Sequence, residues 1–96
     1  MGNICIVSVD YLALYASNTM IKIGVLPGGM KPIGTASNDP AAEDSTAYIA
    51  PLAYRGAAGY SGQISVSKKG NIYAYVSHGG PDEAYYYGQL VFPVAL

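Results

Sequence analysis

The fold of this chain is decided by residues 63–76, which run Gln63-Ile64-Ser65-Val66-Ser67-Lys68-Lys69-Gly70-Asn71-Ile72-Tyr73-Ala74-Tyr75-Val76. Apolar and polar side chains alternate on both sides of a Lys-Lys-Gly-Asn segment, which has the composition of a turn. Because successive side chains of a strand point to opposite faces, this alternation predicts a β-hairpin with one apolar face. The residues expected on the inner face are Ile64, Val66, Ile72, Ala74 and Val76, with Tyr73 and Tyr75 on the opposite face.

Further strands are expected on both sides of the hairpin. Residues 3–15 are rich in Ile, Val, Leu and Tyr without a helical period, which predicts one long strand or two strands broken near Asp10. The same β composition recurs at 20–25, 47–54 and 84–94, and Pro51 places the third of these four strands at an edge or a bulge. Between Met30 and Thr46 the turn-forming residues predict a long loop, at about 30–46.

Short strands separated by Gly, Pro and Asn are typical of antiparallel all-β folds. No segment supplies the helices that a parallel sheet requires. The 96 residues also limit the chain to one hydrophobic core. The sequence therefore predicts a single all-β domain over residues 1–96, an antiparallel β-sandwich or jelly roll.

The composition is unusually poor in charge for a globular domain. Only 11% of the residues are charged and 51% are hydrophobic, whereas about 25% charged residues are usual. We expect a partner subunit to cover part of the surface, because the apolar stretches are too short to cross a bilayer. A net charge of -1 with scattered basic residues argues against nucleic acid and anionic membranes as partners.

The N-terminal run Asn3-Ile4-Cys5-Ile6-Val7 has the pattern of a first strand. It has no basic segment before it and no small-residue cleavage site after it, so it does not resemble a signal peptide. Cys5 is the single cysteine, which excludes an internal disulfide. Its place in the alternation predicts a buried, unreactive thiol.

Several short segments together resemble a known group of viral proteins. They are the Gly2-Asn3-Ile4-Cys5-Ile6-Val7 opening, Leu26-Pro27-Gly28-Gly29-Met30-Lys31-Pro32, Gly62-Gln63-Ile64-Ser65-Val66-Ser67, Lys69-Gly70-Asn71-Ile72-Tyr73 and the Tyr-rich final strand. The chain resembles the C-terminal head domains of tail fibres and receptor-binding proteins of phages that infect Gram-positive bacteria. The resemblance implies a homotrimeric head on the virion, at a tail or fibre tip, that attaches to host cell-surface saccharide outside the cell.

Two groups of aromatic residues are candidate ligand-binding sites. Tyr85, Tyr86 and Tyr87 are consecutive, so they alternate across a strand and cannot all enter one core. Tyrosine offers a rigid ring that stacks on sugars and a hydroxyl that forms hydrogen bonds. Packing across strands against Tyr73 and Tyr75 is the alternative explanation, and it requires no ligand.

The second group surrounds a glycine- and alanine-rich loop. There Arg55 lies between Tyr54 and Tyr60, where a loop can present a cation and two rings to a neutral or phosphate-bearing saccharide. A salt bridge on the surface or between subunits is an equally good explanation for Arg55. His78 and Asp82 bracket Gly79-Gly80-Pro81 and are the remaining candidates, with a solvated loop histidine as the alternative.

Metal and catalytic sites are not indicated. Asp39, Glu43 and Asp44 share the long loop without the ligand spacing of a calcium loop, so a solvated acidic loop is expected. His78 has no cysteine or histidine companions for zinc. Since neither a nucleophile elbow nor a placed pair of carboxylates is present, we expect no enzyme activity and no cofactor.

Three hypotheses for function remain open. The first is a trimeric phage host-recognition domain that binds cell-surface saccharide through aromatic and polar surface groups. The second is a structural virion component, such as a tail or head-decorating domain or a trimerisation cap, in which the tyrosines only pack. The third is a monomeric carbohydrate-binding module from a bacterial surface.

Overall fold

The computed structural model describes residues 3–33, 44–54, 59–79 and 85–95, and within them it contains seven strands and one short 3-10 turn. The chain is an antiparallel all-β domain, as the spacing of the apolar segments predicts. The elements are β1 (Asn3–Leu12), β2 (Ile21–Val25), the 3-10 turn (Pro27–Gly29), β3 (Lys31–Pro32), β4 (Thr46–Tyr54), β5 (Ser61–Ser67), β6 (Asn71–Val76) and β7 (Tyr86–Ala95).

The predicted hairpin is formed by β5 and β6. The two strands pair from Gly62 opposite Val76 to Val66 opposite Ile72. Gly70 closes the turn with a positive φ of 88°, and its N–H donates to the carbonyl of Ser67 at 3.0 Å. The inner-face prediction is confirmed, because all five of those side chains are buried while Tyr73 and Tyr75 lie half-buried on the other face.

The strands form one curled sheet in the order β1-β7-β4-β5-β6-β2. β4 and β7 are paired only at Ala53 with Tyr87 and at Tyr54 with Tyr86. Beyond these pairs β4 and β7 separate, and β3 takes the side of β7 opposite β1, with Pro32 opposite Val94. The sheet is thereby divided into two halves, which gives the domain its sandwich-like character.

The hydrophobic core lies between the two halves of the sheet. Phe92 of β7 and Ile64 of β5 are among its most deeply buried side chains, and the ring of Phe92 stacks on Tyr48 at 5.7 Å between centroids. Tyr48 also spans the gap between β4 and β3, where its hydroxyl donates to the carbonyl of Ile33 at 3.1 Å. The buried members of the core are Leu14, Leu26, Leu52, Ile64, Val66, Ile72, Ala74, Val76, Tyr86, Leu90, Phe92 and Val94.

The structure corrects two expectations, one for Cys5 and one for the loop at about 30–46. Cys5, expected to be buried, is only half-buried, because β1 lies at the end of the sheet and has no strand beyond it among the described residues. The loop expected at about 30–46 contains β3, and its residues 34–43 lie outside the described part of the chain. The break expected near Asp10 is a register shift between Val9 and Leu12, inside one strand.

β4 pairs with both β5 and β7, so it is not the edge strand expected from Pro51, and its register shift lies between Thr46 and Tyr48 instead. Pro51 itself nevertheless lies where its missing N–H is tolerated. It lies opposite Gln63 of β5, in the part of β4 that is not paired with β7. Its missing N–H therefore removes no bond from the ladder with β7.

The outer face of β1 and β7 carries a group of exposed apolar side chains. Ile4, Ile6 and Val91 have 65%, 59% and 54% of their surface exposed, and Ile6 lies directly opposite Val91. Within the described residues there is no helix with the length and hydrophobicity needed to span a membrane.

Candidate binding site

Four of the predicted site residues come together at one end of the sheet and form an aromatic cluster, defined here as Tyr54, Tyr60, His78 and Tyr86. Tyr54 ends β4, Tyr60 precedes β5, His78 follows β6 and Tyr86 begins β7. These strand ends meet because the strands are antiparallel neighbours, with Ala53 opposite Ser61 and Tyr54 opposite Tyr86. Positions far apart in sequence therefore contribute to one surface.

Tyr86 is the buried base of the aromatic cluster. Its surface is 0% exposed, and its hydroxyl donates to the backbone carbonyl of His78 at 2.8 Å. The ring centroid of Tyr54 lies 5.5 Å from that of Tyr86, with the planes inclined by 48°. Since a buried tyrosine hydroxyl needs a partner, the bond to His78 fixes the backbone at that residue as well as the Tyr86 ring.

Tyr60 and His78 form the outer part of the aromatic cluster. Their rings are stacked with 4.3 Å between centroids and 12° between planes, and Tyr60 also contacts Tyr54 at 4.8 Å. Tyr54, Tyr60 and His78 are each half-buried, so part of each residue is accessible to solvent. Each such aromatic pair contributes about 0.5–1.5 kcal/mol beyond its buried area, which holds the rings in place without a ligand.

The loops that carry His78 are tied to the segment after β1. Gly79 N–H donates to Ser17 Oγ at 2.8 Å, and Asn18 N–H donates to the Val76 carbonyl at 2.8 Å. Two further bonds join the start of β5 to the end of β6: Ser77 N–H donates to the Ser61 carbonyl at 2.8 Å, and Ser61 N–H donates to Ser77 Oγ at 2.9 Å. The sequence pattern did not point to Ser17, since a lone serine in a loop carries no spacing signal.

The tyrosine triplet splits as its alternation requires. Tyr86 is buried inside, whereas Tyr87 is 42% exposed on the outer face opposite Ala53. Tyr85 packs edge-on against Tyr11 at 5.8 Å. The alternative explanation, in which this triplet packs across paired strands against Tyr73 and Tyr75, is wrong, because β7 is not paired with β6.

The other predicted site residues do not join the aromatic cluster in the described structure. Arg55 and Asp82 lie outside the described residues. Tyr85 and Tyr87 are described, but they make the separate contacts given above.

Asp44, expected in a solvated acidic loop, instead holds the hairpin turn at the other end of the sheet. Its carboxylate accepts the Lys69 N–H at 3.0 Å and an Asn71 side-chain N–H at 2.7 Å. Partial burial raises the pKa of Asp44, but hydrogen bonds from Asn71, Ser67 and Lys69 and the Lys69 charge outweigh it, so the pKa is lowered overall. The corresponding Asp39 and Glu43 lie outside the described residues.

The arrangement is suited to contact with a ligand surface. In the described part of the chain, no group of three or more His, Cys, Asp or Glu side chains is placed to hold a metal ion. The aromatic cluster itself contains rings, phenol hydroxyls and one imidazole, and these groups offer stacking faces and hydrogen bonds. No family model, curated protein or solved structure matches the chain.

Proposed function

We propose that this chain is a non-catalytic recognition domain that binds saccharide at the aromatic cluster, in the setting of a phage tail or fibre tip that attaches to a host cell surface. The observation that carries the proposal is the stack of Tyr60 on His78 beside Tyr54, with all three residues only half-buried. The phage setting rests on the resemblance of the turn and strand segments, which also implies a homotrimer.

Saccharides require flat apolar faces together with polar groups at the rim. A sugar ring stacks its C–H face on an aromatic ring, and its hydroxyls exchange hydrogen bonds with nearby donors and acceptors. Tyr54 and Tyr60 supply both features, and they lose few side-chain torsions on binding. Tyr86 contributes only support, since its hydroxyl already donates to the His78 carbonyl.

Preorganisation favours binding at this position. The ring contacts within the aromatic cluster and the Ser17–Gly79 bonds fix the platform before any ligand arrives. A ligand therefore does not have to immobilise these side chains, which lowers the entropic cost of binding.

Retention on a panel of Gram-positive cell-wall polysaccharides tests the proposal. We expect the Tyr60→Ala variant to bind at least tenfold more weakly, because loss of a central aromatic contact costs about 2 kcal/mol or more. Tyr60→Phe keeps the ring and separates the stacking contribution from that of the hydroxyl.

Tyr87→Ala is the matched control. It removes an equal ring from the outer face of β7, away from the aromatic cluster, and is expected to leave retention unchanged. Circular dichroism melts are used to check that each variant is folded. If Tyr87→Ala abolishes retention and folded Tyr60→Ala does not, the site lies on the outer face and the proposal is wrong.

A structural role in the virion is the second candidate function. It is favoured by the apolar outer face, where Ile4, Ile6 and Val91 are each more than half exposed. Contiguous exposed apolar side chains are a common feature of interaction surfaces. Wild-type protein that binds no saccharide in the panel, yet self-associates, would support this candidate.

A further inference from the structure

The open edge of the sheet at β1 has the properties of a self-pairing strand. Among the described residues, β1 is the end strand of the sheet, and it is ten residues long. Its residues 3–9 include no charged side chain and no proline. Long apolar edges of this kind pair readily with another strand, and proteins usually protect them with charge, proline or bulges.

Pro93 reveals which backbone groups of β1 point to the open edge. The carbonyl of Pro93 accepts the Ile33 N–H at 2.9 Å, so its backbone groups face β3 and not β1. Ile4 is directly opposite Pro93, which makes this a non-hydrogen-bonded pair of the β1–β7 ladder. Because the directions alternate along a strand, the N–H and C=O groups of Ile4, Ile6 and Ser8 point away from β7.

The opposite edge of the sheet is protected, which distinguishes it from β1. β2 is only five residues long, carries Lys22, and is interrupted by a register shift between Lys22 and Gly24. In β1 the comparable features, Asp10 and the register shift after Val9, come only after residue 9. Of the two edge strands in the described residues, only residues 3–9 of β1 therefore lack these protective features.

We infer that residues 3–9 of β1 form an interface with the same strand of a second copy of this chain, in an antiparallel two-fold pair centred on Ile6. This register places Ile6 opposite Ile6, and Ile4 opposite Ser8, so that edge-facing donors meet edge-facing acceptors. It also pairs every residue from 3 to 9 and stops before Asp10. A second copy is the occupant because the edge is complementary to itself in both its hydrogen-bonding groups and its lack of charge.

The inference does not depend on saccharide binding, and it replaces the homotrimer implied by the resemblance with a two-fold pair. A charge exchange tests it. In the two-fold register, Ile6→Lys puts two like charges directly opposite each other, and Ile6→Glu does the same. We expect light scattering to give twice the 10.0 kDa chain mass for the wild type and a monomer for each variant alone. Mixing the two variants is expected to restore the paired mass, which misfolding cannot imitate.

Ile49→Lys is the matched control for the charge exchange. Ile49 of β4 is 54% exposed, close to the 59% of Ile6, but it lies away from the β1 edge. Its substitution is expected to leave the wild-type mass unchanged. A monomeric wild type at millimolar concentration, a mass three times that of the chain, or a mixture that stays monomeric would each overturn the inference.

Disulfide trapping tests the register. With Cys5→Ser as background, Ile6→Cys places two thiols at directly opposed positions, about 5.5 Å apart between Cα atoms, which a disulfide can span. Ile4→Cys, on the same face and similarly exposed, puts its two thiols about four residues or ~14 Å apart. We expect rapid dimer crosslinking only for Ile6→Cys. Equal crosslinking of both, or of neither, contradicts the register.

Discussion

Adding a single methyl group at Gly70 tests how tightly the hairpin turn packs against the segment that follows β2. The φ of 88° at Gly70 lies in the region that favours glycine, and an added Cβ would lie 2.8 Å from the Met30 carbonyl oxygen. The turn also anchors the segment after β2, because the Gly70 carbonyl accepts the Leu26 N–H at 2.8 Å. Gly70→Ala is therefore expected both to strain the backbone of the hairpin turn and to displace the backbone of Met30.

The expected loss can be divided into two parts. An alanine forced into a left-handed backbone conformation costs about 1–2 kcal/mol. Moving the backbone of Met30 to make room costs about 1–3 kcal/mol more, as overpacking usually does. Gly70→Ala should thus lower the free energy of unfolding by about 2–5 kcal/mol, a large share of the about 5–15 kcal/mol typical of a domain.

Gly28→Ala isolates the conformational part. Gly28 has a φ of 64°, and an added Cβ would meet no atom within 4 Å. Only the conformational cost of about 1–2 kcal/mol is then expected. Urea unfolding followed by far-UV circular dichroism gives both values, provided that the denaturant slope is unchanged. Equal losses for the two variants would refute the close contact between Gly70 and Met30.

Other single substitutions test the site and its support. Tyr86→Phe leaves the His78 carbonyl without its 2.8 Å donor and should cost about 1–3 kcal/mol, measured as a melting temperature about 4–8 °C lower per kcal/mol. Asp44→Asn tests the pH dependence. Since the folded-state pKa of Asp44 is below the ordinary 3.8, its contribution to stability is full above pH 3.8 and is lost as the pH falls through the lower folded-state pKa. Wild type and variant should therefore converge in stability from pH 6 down to acid, and a constant difference would contradict this. Gly79→Ala puts a Cβ within 2.6 Å of the Leu14 carbonyl oxygen and should weaken both folding, seen in urea, and saccharide retention.

Local patterns predicted the strands well because each strand carries its own alternation. The hairpin of β5 and β6 needs only a turn and two alternating segments, all within residues 61–76. The split of the tyrosine triplet into buried Tyr86 and exposed Tyr87 follows from the same period of two. Strand order was beyond such reasoning, because β7 pairs with β1 and β4, and neither adjoins it in sequence.

The sequence predicted which residues belong to the aromatic cluster but did not predict how their rings are arranged. Tyr54 and Tyr60 were expected to act together because one short loop separates them, and their rings are 4.8 Å apart. The stack of Tyr60 on His78 depends on the start of β5 lying beside the end of β6, and a local sequence pattern does not encode that register. The hydrogen bonds of Asp44 were missed for the same reason, since they join residues more than twenty positions apart.

The two proposed surfaces make opposite demands on assembly. The aromatic cluster lies at the Tyr86 end of β7, which pairs with Leu12 of β1, whereas the proposed pairing is centred six residues earlier at Ile6. Antiparallel pairing about Ile6 would send the two clusters to opposite ends of a continuous sheet, about 40 Å apart at ~3.4 Å per residue. A flat cell surface could then engage one cluster at a time, so pairing would give no avidity. If a homotrimer instead presented its three clusters in one direction, one surface could engage all of them. The solution mass therefore bears on whether weak binding at single sites is multiplied.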